Sequence, residues 1–140
     1  MDEYLRSTGV IDWQCPAVLK RARLLGAEQP DTLETTRSCF EWVRDHIQHS
    51  GDHRSHMTTC QASEVLRHRT GWCFAKSHLL AALLRANGIP AGLCYQRLRR
   101  DDSDGFTLHG LNAVHLPRLG WYRIDPRGNK NGVDAQFCPP

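Results

Sequence analysis

The residue types able to do chemistry in this chain are a cysteine, a histidine and an aspartate: Cys73, His109 and Asp125. Cys73 lies in Thr70-Gly71-Trp72-Cys73-Phe74-Ala75-Lys76-Ser77-His78-Leu79-Leu80, at the junction between a breaker and a long apolar segment. A thiol in the first turn of a helix feels the positive end of the macrodipole and the unpaired N–H groups there, and both stabilise a thiolate. The same N–H groups can receive a developing oxyanion. Cysteine-based acyl transfer also needs an imidazole, to pair with the thiolate and protonate the leaving nitrogen, and a group that fixes the imidazole's tautomer. His109 and Asp125 are candidates for those two tasks.

The elements that must position them follow from pattern. From Phe74 to Asn87 there is no Gly or Pro, and Leu79, Leu80, Leu83 and Leu84 leave little of the surface polar, which predicts a buried helix stopped by Gly88 and Pro90. After Pro90 the period changes. Gly92–Leu98 suits a strand, Arg99–Gly105 a charged loop, and Leu108–Leu116 a second strand. Pro117-Arg118-Leu119-Gly120 then turns into a third strand, Trp121–Asp125. Folding that hairpin about residue 117 sets His109 across from Asp125, to within a residue or two, at its open end. Residues 126–132 leave the sheet as a loop.

Upstream, an arm over residues 1–14 is expected to pack Trp13 onto the domain. Pro16 and the stripe Val18, Leu19, Ala22, Leu25 predict a helix over 16–26. Asp31 with Glu34 has capping-box spacing, and Leu33, Thr36, Phe40, Val43 and Ile47 share a face, which predicts a helix over 32–48. Residues 61–69 read as a short helix. His46, His49, His53 and His56 fall in a polar stretch that is better explained as a solvated loop than as a metal site, because structural metal sites use tighter, fixed ligand spacing. The tail Val133–Pro140 has no terminating element, as a truncated chain would.

With 140 residues, one domain spanning 1–140 is expected. The net charge of +3 is spread along the chain, and the one dense basic cluster, Arg97, Arg99 and Arg100, runs straight into Asp101, Asp102 and Asp104, so nucleic acid is not an expected partner. The first residues lack the apolar core of a secretory signal, and no apolar run approaches the ~18 residues of a membrane span. A cytoplasmic protein with reduced thiols, and no membrane partner, is the expectation. Six cysteines without a C-x-x-C pair then point to core packing for Cys15, Cys39, Cys60, Cys94 and Cys138.

Rivals to the three residues exist. With eight histidines and fifteen acids, some Cys/His/acid triple is easy to find by spacing alone. His115 lies on the same strand face as His109, and His78 one turn into the Cys73 helix is more often a satisfied histidine. Trp72 and Gln61 could bind substrate or donate to an oxyanion, but a packed Trp and a helix-start Gln explain them as well.

The motifs themselves resemble a family. Gly71-Trp72-Cys73, the helix running through Ala82-Leu83-Leu84-Arg85-Ala86-Asn87-Gly88-Ile89-Pro90-Ala91-Gly92, and His109 followed by Gly120-Trp121-Tyr122-Arg123-Ile124-Asp125-Pro126 are similar to the core of the transglutaminase-like superfamily, over about residues 60–127. The resemblance implies an α+β, papain-like core with a central helix carrying the cysteine packed on an antiparallel sheet. It also implies Cys73 as nucleophile, His109 as base and acid, and Asp125 as orienting carboxylate. Its interval from histidine to Asp-Pro favours His109 over His115. Leu111 and Ala113 stand where members often carry a Trp and an acid, so the substrate groove differs. The expected activity is hydrolysis or acyl transfer at a peptide or protein amide, with no cofactor and no metal. The competing expectations are a low-turnover binding module of the same fold and, less consistent with the spacing, a zinc protein.

Overall fold

Every residue from Ala75 to Arg85 in helix α4 (Cys73–Ala86) is buried, so this helix meets protein on all sides. The computed structural model that shows this describes residues 1–100 and 103–140. Leu79, Leu80, Leu83 and Leu84 are completely buried, and each such side chain contributes about 1.5–3 kcal/mol on leaving water. The helix stops as its sequence predicts. Asn87 turns its amide back to Leu83 O and across to Ala22 O, both at 3.0 Å, and Gly88 takes the left-handed φ of +74° that a side chain would resist.

Three helices cover one side of α4. Helix α1 (Pro16–Gly26) carries proline in its first turn and buries Val18 and Ala22. Helix α2 (Thr32–His46) is capped by Asp31, whose carboxylate accepts from Glu34 N–H at 2.9 Å, and buries Cys39, Phe40 and Val43. Helix α3 (Ala62–His68) opens with a reciprocal capping box between Gln61 and Glu64. The predicted extension of α2 to residue 48 is corrected. Residues Gln48–His49 leave the helix as strand β1, which pairs in parallel with β2 (Thr70–Gly71), His49 opposite Gly71.

On the other side lies an antiparallel sheet in the order β3-β4-β5, formed by Ala91–Arg99, Phe106–Leu116 and Gly120–Ile124. The two long strands reach one or two residues further than predicted. Of the charged loop expected at 99–105, Asp101 and Asp102 lie outside the described residues. The centre of the sheet is tied to α4 by the buried Asn112, whose amide donates to Ser77 O at 2.9 Å and to Gly92 O at 3.3 Å. Helices on one side and an antiparallel sheet on the other make the α+β architecture expected.

Both ends of the chain dock onto this frame. The N-terminal arm buries Ile11, and Trp13 donates to Leu5 O at 2.9 Å. In the tail Phe137 is buried between Phe40 and Tyr122, and Arg44 and Arg37 donate to the carbonyls of Ala135 and Phe137. No helix among the described residues is long and apolar enough to cross a membrane.

Candidate active site

Cys73 is the first residue of α4, and Trp72 occupies the cap position with no side-chain cap hydrogen bond and no acid in the first turn. The N–H groups of that turn therefore keep their positive character for whatever lies in front of them. The partly buried Cys73 Sγ accepts the backbone N–H of Gly110 at 3.4 Å, which puts the thiol beside the middle of β4. Glycine is required there: a Cβ at position 110 would lie 2.9 Å from the Cα of Phe74, a backbone atom that cannot step aside.

His109 is the neighbour of that glycine. Its Nε2–H donates to Asp125 Oδ2 at 2.6 Å, with the imidazole largely shielded and the carboxylate partly exposed. The ladder explains the meeting. Asn112 pairs with Ile124, so continuing the register sets Asp125 opposite Leu111, and His109 is the next residue along on the same face. The turn is centred on residue 118 rather than 117, a shift inside the margin expected. The other carboxylate oxygen, Oδ1, accepts the N–H of Arg127 at 3.0 Å across Pro126, a local Asp turn that fixes the carboxylate's orientation. With Nε2 committed to Asp125, Nδ1 is the imidazole atom left for the thiol or a substrate.

The remaining candidates fall elsewhere. His115 stacks edge-on against Trp121, 5.5 Å between centroids, and His78 is satisfied by Cys60 O at 2.7 Å. Gln61 serves the α3 capping box. Cys39 is fully buried, and burial pushes its thiol up to about 12, which makes it inert. Core packing fails for Cys60 and Cys138, which are exposed because each lies in irregular chain with no apolar face to join. Among the described residues no three His, Cys, Asp or Glu side chains gather as a metal ion would require.

The histidine-rich stretch is not simply solvated. His49 is carried inward by the β1–β2 pairing and packs edge-on against Trp72 at 5.6 Å. Burial, with the nearby Arg127 cation, holds its imidazole down at about 4, and Nδ1 is buried without a hydrogen bond, 3.6 Å from Asp52. Asp52 accepts both Nη1–H and Nη2–H of Arg127, at 2.7 and 2.9 Å, and the Lys130 ammonium at 3.2 Å. Burial would raise the Asp52 carboxyl, but those bonds outweigh it and bring it to about 2. Lys76, one turn along α4 from Cys73, is buried and donates to Ile47 O and to Arg44 O at the end of α2. Burial, then Arg127, lowers its ammonium to about 8. These residues line a polar cavity of about 530 Å³. Local spacing gave no sign of it, since its walls come from four separate segments.

The family model described as the transglutaminase-like superfamily matches residues 20–126, extending well upstream of the motifs quoted above. No curated protein matches the chain. Among solved structures, a provisionally assigned cysteine protease from Cytophaga hutchinsonii superposes with a TM-score of 0.74 at 18% identity, covering 90% of this chain and 41% of that one. The periplasmic domain of TgpA from Pseudomonas aeruginosa gives 0.62 at 17% identity, covering 88% of this chain and 45% of that one. The chain thus spans less than half the length of either structure. At these identities they show a shared fold. The family match covers most of the chain, and the protein belongs to the transglutaminase-like superfamily.

Proposed function

We propose that the protein is a cysteine-dependent enzyme acting on amides, either peptide bonds or side-chain carboxamides, through a thioester on Cys73. The observation that carries this is a pair of contacts one residue apart: His109 Nε2–H on Asp125 Oδ2 at 2.6 Å, and Gly110 N–H on Cys73 Sγ at 3.4 Å.

The steps follow from that geometry. The Cys73 thiolate attacks the carbonyl carbon, and the oxygen that takes up the electron pair is received by the uncapped N–H groups at the start of α4. His109, holding the thiol's proton, passes it from Nδ1 to the departing nitrogen as the C–N bond breaks, leaving a thioester. Asp125 keeps the ring in the tautomer and orientation this needs and stabilises the imidazolium. Water or a primary amine, relieved of a proton by His109, then attacks the thioester and releases Cys73. Water gives hydrolysis; an amine gives transfer. The substrate is a peptide or protein, with neither nucleic acid nor membrane required.

The test is to incubate wild type and Cys73→Ala with a pool of glutamine-containing peptides, and to follow peptide cleavage, ammonia release and incorporation of a labelled primary amine. Turnover in at least one channel that disappears in Cys73→Ala is expected. Equal signals from both proteins in all three channels would overturn the proposal in favour of a binding module.

A further inference from the structure

The segment after β1, residues 50–56, touches both halves of the candidate site. On one side Gly51 lies under Trp72, the residue before Cys73; a Cβ at 51 would stand 2.8 Å from the indole ring. On the other side Asp52 binds the Arg127 guanidinium through two parallel hydrogen bonds, with Lys130 adding a third. Arg127 is also the residue whose backbone N–H holds Asp125 Oδ1 at 3.0 Å. A bidentate Arg–carboxylate pair fixes the plane and position of the guanidinium, unlike a point-charge contact. The guanidinium side chain is mostly shielded, with 19% exposed, so the pair is better protected from solvent screening than an ordinary surface ion pair.

We infer that Asp52 is a positioning residue for Asp125: by anchoring the Arg127 side chain it holds the Asp125-Pro126-Arg127 turn in the shape that binds Oδ1 and leaves Oδ2 aimed at His109. Asp52 touches neither the thiol nor the imidazole, and it acts only through Arg127. The segment that local spacing marks as a histidine-rich loop is thereby a brace between the nucleophile's turn and the carboxylate's turn. This inference rests on the proposed Cys73–His109–Asp125 assembly, and the experiment separates the two.

Cys73 alkylation by iodoacetamide at pH 6 is measured by peptide mass in wild type, His109→Ala, Asp52→Ala, Asp52→Asn and the exchanged pair Asp52→Arg with Arg127→Asp. Thermal melting and the low-field proton signal of His109 Nε2–H are followed in parallel. The expected result is that His109→Ala abolishes the fast reaction and that the Asp52 variants slow it by about 10-fold, the scale seen when an orienting partner is lost. They should also shift or broaden the low-field proton signal, and the exchanged pair should recover most of the rate. A structural role alone would move melting but neither the proton signal nor the rate per folded molecule. Where Asp52→Ala fails to fold, Asp52→Asn, which keeps the shape and loses the charge, decides. Wild-type rates in folded Asp52 variants, or no recovery in a folded exchanged pair, overturn the inference and leave the assembly standing. Indifference of Cys73 to His109 overturns both.

Discussion

Gly110 donates its backbone N–H to Cys73 Sγ at 3.4 Å, and the same glycine lets the first turn of α4 lie against β4 with no side chain between them. A methyl group at 110 would fall 2.9 Å from Phe74 Cα and 3.2 Å from Phe74 N, so the helix start must retreat from the strand. Gly110→Ala is therefore expected to lower stability by about 1–3 kcal/mol, the range for overpacking. It should also reduce Cys73 alkylation at pH 6 toward the rate of Cys60. Urea unfolding and residue-resolved alkylation check both; an unchanged Cys73 rate in a folded variant would show that the close approach does not matter to the thiol.

Asn112 holds the same two elements together from deeper inside. Its amide spans Ser77 O and Gly92 O, and Ser77 in turn donates its hydroxyl to Cys73 O at 2.9 Å. Removing the amide takes one donor from each carbonyl and cuts the tie between α4 and the sheet. Asn112→Ala is expected to cost about 2–4 kcal/mol in urea unfolding, from the lost hydrogen bonds and the cavity together. A loss under 1 kcal/mol would mean the site collapses or hydrates freely.

Lys76 makes stability depend on pH in the alkaline range. Its folded value of about 8 lies below the ordinary lysine value of 10.5, so between those limits the unfolded chain binds a proton the folded one does not. Burying this ammonium therefore penalises the fold below pH 8, and stability contributed by this group rises as pH climbs from 8 to 10.5. The full effect is of order 3 kcal/mol at 1.36 kcal/mol per unit. Lys76→Met should remove it: the difference between wild type and variant in unfolding free energy, measured from pH 7 to 10, is expected to grow in favour of wild type with pH. A pH-independent difference would contradict the burial of a titrating ammonium.

On the acid side His49 acts with the same sign. Burial keeps its folded value at about 4 against 6.5, so as pH falls from 6.5 toward 4 the unfolded chain gains a proton first and stability drains away. His49→Phe, which retains the edge contact with Trp72, is expected to flatten melting temperature against pH over that window. An equally steep loss in the variant would assign the acid sensitivity to other groups.

How much of this could be read in the sequence divides along local and non-local lines. Helix α4 was legible because its apolar run and its Gly88 stop are local, and Asp31 with Glu34 announced α2 for the same reason. The His109–Asp125 meeting was legible because a hairpin converts sequence distance into register. Its centre came out one residue off because both Arg118 and Gly120 adopt positive φ, 68° and 74°, a turn form that no proline rule specifies. His49, Asp52 and Lys76 were not legible as a group. His49 is buried by a two-residue parallel pairing with Thr70–Gly71, Asp52 is paired 75 residues along the chain, and Lys76 hides its charge against α2 carbonyls. The role of Gly110 was invisible as well, since a glycine in a strand does not say which backbone approaches it.

The most direct test of the central claim is the pH dependence of alkylation at all six cysteines by a small haloacetamide, in wild type and in His109→Ala. The account predicts that Cys73 alone reacts rapidly near pH 6, where ordinary thiols titrating at about 8.5 are almost fully protonated, and that His109→Ala abolishes this while leaving Cys15, Cys60 and Cys138 unchanged. Reaction of Cys73 no faster than Cys60, or indifference to His109, would contradict it.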